Sequence, residues 1–279
     1  MSGPSKTYVT DGLVLSRNPY LENDSICSVL TAERGRITVL AKGARSMKSA
    51  LRSGIEPYTY GNFEIARRKD GPGWIRGISV TNAFTGLRTS LLPLSLAAYL
   101  ADLATVLSDE GVEAAELLQL CLNTLYLLSE RVDPNDENEL LRVKAAFEVR
   151  VMAISGYTPK LSRCSVCGKA VEGESYLDVT NGVLRCGECF HRTAGGRFQP
   201  DAAELSSLTK VLRLSAPALG AMRYVTEAPP KRVYSFALPD AESLTCFASA
   251  AEAYAEYHLE RTFDSLRFFH AMRSDSACK

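Results

Sequence analysis

Residues 164–189 read CSVCGKAVEGESYLDVTNGVLRCGEC, so that Cys164/Cys167 and Cys186/Cys189 form a C-x2-C-x18-C-x2-C frame. That spacing is the one expected of a four-thiolate zinc site. In Cys-Ser-Val-Cys-Gly and Cys-Gly-Glu-Cys a tight turn aims two sulfurs at one ion, with a glycine available for positive φ. Between the pairs, Tyr176–Thr180 and Val183–Arg185 read as short strands around Asn181-Gly182, a strong hairpin signal. The chain leaves the first pair, turns and returns with the second, which is a zinc ribbon over about 161–197. A disulfide pair and a dithiol redox centre compete with zinc, but neither needs two matched pairs around a hairpin. Four sulfurs close a tetrahedron and leave no open position for water or substrate, so the expected zinc is structural. His191 is the one neighbour that could displace Cys189 as a ligand.

Working outward, the 279 residues are 46% hydrophobic and 23% charged, enough to bury one large core or two modest ones. The polar start, Met1–Asp11, lacks a secretory pattern, and Leu91–Leu107, interrupted by Pro93 and Asp102, reads as a buried helix rather than a membrane span. These features point to a reducing cytoplasm. Cys27, Cys121, Cys246 and Cys278 show no paired spacing and receive no chemistry.

From Tyr8 to Asn82 the pattern is β-like, with strands over Tyr8–Leu15, Ser25–Leu30, Arg36–Leu40, Tyr58–Ala66 and Trp74–Val80. Five short strands suggest a closed barrel of the OB type, an SH3-like barrel fitting almost as well. After Thr81 the period turns helical: Ser95–Leu107, Ala114–Ser129 and Asp136–Ser155. Asp136 with Glu139 forms a capping box, and Asp201 and Asp240 are further N-cap candidates. The expected organisation is a barrel over 1–83 and a helical domain over 84–279 carrying the ribbon, with Ala194-Gly195-Gly196 as exit hinge.

Net charge is zero, but residues 1–90 hold 13 Lys/Arg against 7 Asp/Glu, and the remainder 19 against 25. Between Glu33 and Glu56 every charged residue is positive: Arg34, Arg36, Lys42, Arg45, Lys48 and Arg52. On a barrel this predicts a cationic rim for a polyanion backbone, approached closely beside small residues; a solvated polar loop is the plainer reading. Arg67-Arg68-Lys69 is a second cluster, equally explained as a hairpin tip before Asp70. Tyr20, Tyr58, Tyr60, Phe63 and Trp74 are candidates for stacking on bases. Phosphate-binding glycine loops, G-x-S-x-G and H-E-x-x-H are absent, which lowers the expectation of an enzyme. His191, His258 and His270 read as packing or surface residues.

A basic β-barrel followed by helices with an inserted four-cysteine ribbon resembles the RecO family of bacterial recombination mediators. Gly12-Leu13-Val14-Leu15 with Arg17 and Tyr20, then Glu22-Asn23-Asp24-Ser25, is similar to the family's opening strand pair. Ala41-Lys42-Gly43-Ala44-Arg45 followed by Lys48-Ser49 and Leu51-Arg52 resembles its most recognisable block. Phe147-Glu148-Val149-Arg150, Gly156-Tyr157-Thr158-Pro159 and Leu161 look like its approach to the metal module, and His258–Arg261 with Ser265–Phe268 like its closing segment. The chain departs at Asn18-Pro19, over Val225–Pro239 and at Asp264. The resemblance implies a protein without a catalytic step that binds single- and double-stranded DNA and anneals complementary strands. It also implies partnership with RecR and the single-stranded DNA-binding protein SSB, and help in loading RecA. A zinc-ribbon RNA-binding factor is the alternative, and a thiol oxidoreductase a more distant one. By resemblance, a groove in the helical half takes the acidic, hydrophobic-ended tail of SSB, with cations from Arg142, Lys144 and Arg150 or from Arg261 and Arg267.

Overall fold

The computed structural model describes residues 6–68, 71–195 and 210–276. Its first five strands are β1 (Lys6–Tyr20), β2 (Asp24–Thr31), β3 (Gly35–Ala41), β4 (Tyr60–Arg67) and β5 (Gly73–Asn82). They close as a barrel in the order β1-β2-β3-β5-β4, with β3 and β5 parallel and β1 returning to β4. This is the OB arrangement rather than the SH3-like one. β1 outruns its expected length because it serves two partners: residues 6–13 pair with β4 and residues 12–20 with β2. A register shift between Val14 and Ser16 bends the strand between them, as bulges do. Pro19 is accommodated near the strand's end, opposite Ser25.

Alternation fills the interior. Val14, Cys27, Val29, Ile37, Val39, Phe63, Ile65 and Ile75 point inward, and Ala44 and Ile55 of the β3–β4 connection plug the barrel. Phe63 is fully buried there and is a core residue rather than a base-stacking one. The run Gly12–Leu15 is buried on both faces of β1, since α1 (Leu91–Val106) and α2 (Ala115–Glu130) pack against the strand's outer side.

Ser90 caps α1 and Asp136 caps α3 (Glu137–Ile154), its carboxylate accepting from the Glu139 N–H at 3.0 Å. The ribbon sheet comprises β6 (Lys160–Cys164), β7 (Ser175–Asp178), β8 (Val183–Cys186) and β9 (Val211–Leu214) in the order β6-β8-β7-β9, followed in sequence after β8 by α4 (Gly187–Gly195). The hairpin falls where Asn181-Gly182 puts it, with Gly182 at φ 63°. β9 is an addition to the expected ribbon, pairing Leu212 with Leu177. The remaining helices are α5 (Ala216–Glu227), α6 (Ala241–His258), capped by Asp240, and α7 (Asp264–Ser276). Asp201, Gly196, Lys69, Asp70 and Cys278 lie outside the described residues.

The chain divides into two compact units, residues 1–135 with 263–279, and residues 136–262. In this grouping by contacts the first two helices fall with the barrel. The β2–β3 turn docks on the segment between them, where the Gly111 N–H donates to Arg34 O and the Ala114 N–H to Ala32 O. α7 joins the same unit by packing on α1, with Phe263 edge-on to Tyr99. In the second unit, α3, α5 and α6 pack together with the ribbon sheet. Among the described residues no helix is long and apolar enough to cross a membrane.

Candidate metal centre and nucleic-acid interface

The ribbon brings its four cysteines to one point. Cys164 ends β6, Cys167 follows a turn in which the Gly168 N–H donates to Cys164 O at 2.9 Å, Cys186 ends β8, and Cys189 sits in the first turn of α4. Gly168 has φ 71°, the positive value that the first knuckle requires; the second knuckle instead opens a helix. All four Sγ atoms lie within 4.8 Å of one another, with Cys167 and Cys186 3.9 Å apart. A tetrahedron of 2.3 Å metal–sulfur bonds has edges of about 3.8 Å, so this cluster has the size for a zinc-type ion.

The electrostatics agree with a cation site. Burial acts to raise the Cys164 thiol, but N–H groups of Cys186, Cys167 and Val166 outweigh it and bring it down to about 6. Burial and the neighbouring sulfurs push Cys189 up to about 12. Four thiolates repel one another and share the site only when a cation neutralises them. Cys164 and Cys189 are both buried, which does not suit a pair that must meet another thiol for disulfide exchange. His191 turns away from the cluster: its Nε2 lies 3.5 Å from Tyr176 Oη, beside the stacked rings of Tyr176 and Phe190. Cys27 and Cys121 are buried and their thiols are pushed up to about 11 and 12 by burial, which leaves them inert.

The six-cation run does not form one rim. Arg36 lies near the start of β3 and Lys42 just past its end, with most of the strand, about 20 Å at roughly 3.3 Å per residue, between them. Arg34 lies over the Tyr8 ring at 4.3 Å, and Arg36 donates to Ser108 O at 3.1 Å, so both serve the packing of the β2–β3 turn. Lys42, Arg45, Lys48 and Arg52 are exposed on the β3–β4 connection. Arg45 ties that connection to the β1–β2 turn, donating to Leu21 O and Glu22 O. Composition alone did not reveal a further cluster: Lys42 and Arg68 both lie over the Trp74 ring, at 5.0 and 5.6 Å. The signal was present in the β3–β5 pairing, which sets Leu40 beside Trp74.

In the second unit, Arg142 is held by Glu139, Tyr234 O and Phe236 O, Arg150 donates to Thr226 O, and Lys144 is buried between Glu148 and Glu252. None of the three is a surface cation for a tail peptide. Arg261 is exposed, while Arg267 pairs with Asp264. A groove of about 730 Å³ does exist beside the ribbon, lined by Lys160, Leu161, Arg163, Val183, Arg223 and Glu227 among others.

Fold and site together define a class: an OB-barrel protein whose helical body carries a four-cysteine ribbon with the geometry of a metal centre. Comparison with known families gives the particular one. Residues 2–84 match the model described as Recombination protein O N terminal, and residues 88–267 that described as Recombination protein O C terminal. The chain belongs to the RecO family. It is 31% identical over 260 residues to the DNA repair protein RecO of Anaeromyxobacter sp. (strain K), covering 92% of this chain and 93% of that one. It is also 27% identical over 263 residues to the DNA repair protein RecO of Acetivibrio thermocellus (94% and 96% covered) and 28% identical over 224 residues to that of Bacillus subtilis (80% and 85%).

Proposed function

We propose that the protein is a DNA repair and recombination mediator that acts in the cytoplasm, at the nucleoid, and performs no chemical step of its own. It binds single- and double-stranded DNA without regard to sequence, anneals complementary strands, and with RecR helps RecA onto DNA coated with SSB. The observation that carries this reading is the exposed group Lys42, Arg45, Lys48 and Arg52 on one connection of an OB barrel, in a chain of the RecO family. Exposed cations without acidic neighbours between them suit phosphates and release counterions on binding. One zinc ion, held by Cys164, Cys167, Cys186 and Cys189, supplies folding energy to the ribbon and no open coordination position. The groove beside the ribbon is the place for the acidic SSB tail, because the exposed Lys160 and Arg163 outnumber the single acid, Glu227, on its walls, while Arg223 is held by Leu161 O and Val171 O.

The test is annealing of complementary oligonucleotides coated with SSB. The native protein is expected to accelerate it, and the Lys42→Ala/Lys48→Ala/Arg52→Ala variant to lose most of the acceleration. Annealing that is unchanged in the variant, or a preference for matched RNA over DNA in direct competition, contradicts the reading.

A further inference from the structure

The β1–β2 turn and the β3–β4 connection are one structural unit at the end of the barrel where Ser25 pairs with Ala41. The Arg45 N–H donates to Asn23 O at 3.0 Å, the Gly43 N–H to Asp24 Oδ1 at 2.7 Å, and the Arg45 guanidinium reaches Leu21 O and Glu22 O. On this unit stand Met47 and Leu21, 83% and 71% exposed, the two most exposed large apolar side chains among the described residues, with Tyr20 next in sequence at 43%. A single exposed leucine needs no explanation. Here the two extremes occupy the two segments that Arg45 ties together, among Lys42, Arg45, Lys48 and Arg52. Leu21 also has φ 51°, the left-handed region that asparagine and glycine occupy at less cost, so an apolar side chain is held where the backbone favours a polar one.

We propose that Leu21 and Met47, with Tyr20 beside them, form an apolar wedge that enters between neighbouring bases of single-stranded DNA while the surrounding cations hold its phosphates. The inference rests on the reading of this connection as the DNA-binding surface, and it adds contact with the bases themselves. Charge fixes the occupant. Every charged residue between Glu33 and Glu56 is positive, and of the two acids beside Leu21, Asp24 accepts from the Gly43 N–H while the exposed Glu22 stands against four exposed cations; a stack of bases is an apolar surface flanked by phosphates on every step. Apolar side chains inserted at such steps partly unstack them. Methionine's unbranched, polarizable chain adapts to any base face, which suits a contact that does not read sequence. A strand held unstacked presents its pairing edges to a complementary strand.

The experiment places 2-aminopurine, whose emission is quenched by stacking, in the middle of a single-stranded oligonucleotide and compares the native chain with Leu21→Asn/Met47→Gln at saturating protein. Asparagine tolerates the left-handed conformation at position 21, and glutamine keeps the length of the Met47 side chain and an acceptor toward Arg52. Native protein is expected to raise the emission by about twofold or more, and the double variant to lose the rise while the salt dependence of binding stays the same. An equal rise in the variant overturns the wedge. So does native protein that binds in a salt-dependent way without any rise, in which case the tip serves another occupant and the DNA-binding reading survives. Native protein with no salt-dependent binding overturns that reading as well.

Discussion

Lys144 lies wholly buried in the second unit, its Nζ 2.8 Å from Glu148 and 2.6 Å from Glu252. Its attraction to two carboxylates offsets the cost of desolvating it, and removing the lysine takes a paired cation from the fully buried Glu148. Lys144→Ala should therefore cost about 3–5 kcal/mol in urea unfolding, whereas exposed Arg261→Ala should fall within about 0.5 kcal/mol. The residue has no sequence signature, since a lysine on a helical stripe reads as a surface charge until α6 is known to pack against it. Cys27 offers a pH test. Burial holds its thiol up at about 11, so the folded state keeps its proton when the unfolded state gives it up. The resulting stability is complete below the ordinary thiol pKa and is lost as pH rises through about 11. Over that two-unit window the barrel should lose about 2–3 kcal/mol, and Cys27→Ala should flatten the decline in unfolding measurements between pH 9 and 11. Phe63 shows the converse limit on reading single residues: an aromatic in a strand stacks on a base or fills a core depending only on which way the pleat turns.

At the scale of elements, the ribbon was legible because its signal is local. Two C-x-x-C turns, an Asn-Gly hairpin and two short strands lie within 26 residues and fix one another's register. β9 was not, because Val211–Leu214 acquires meaning only by pairing with β7 more than thirty residues earlier. The cationic run was legible as charge but not as geometry; a strand in its middle separates Arg34 and Arg36 from the other four. Removing the metal tests the ribbon. Native mass spectrometry should show one zinc ion per chain, and Cys186→Ser should make the ribbon protease-sensitive, since binding energy of about 10 kcal/mol or more is folding energy in such modules. A metal-free, fully folded native protein contradicts this. Gly35 tests the docking of the β2–β3 turn. It has φ 62°, and a Cβ there would sit 2.0 Å from Asp109 O. Gly35→Ala should cost at least the roughly 1–2 kcal/mol of the left-handed conformation, seen as a lowered Tm with faster amide exchange at Gly111 and Ala114.

At the scale of the whole molecule, charge is divided along the chain. The first 90 residues carry the positive excess and the remainder the negative one, and the exposed cations concentrate where β3 leaves the barrel. The order of barrel, helices and ribbon was legible from the switch of hydrophobic period near Thr81. The division into compact units was not, because the first two helices and the closing one join the barrel through contacts distant in sequence. The central claim is that the barrel meets DNA through phosphate contacts made by Lys42, Arg45, Lys48 and Arg52. Its most direct test is the slope of log affinity against log salt for two unrelated single-stranded oligonucleotides, measured with the native chain and with all four residues changed to alanine. With each phosphate contact on a single strand worth about 0.7 in slope, the account predicts that the variant's slope falls by about 3, equally for both sequences. An unchanged slope and affinity would contradict it and move the DNA-binding surface elsewhere.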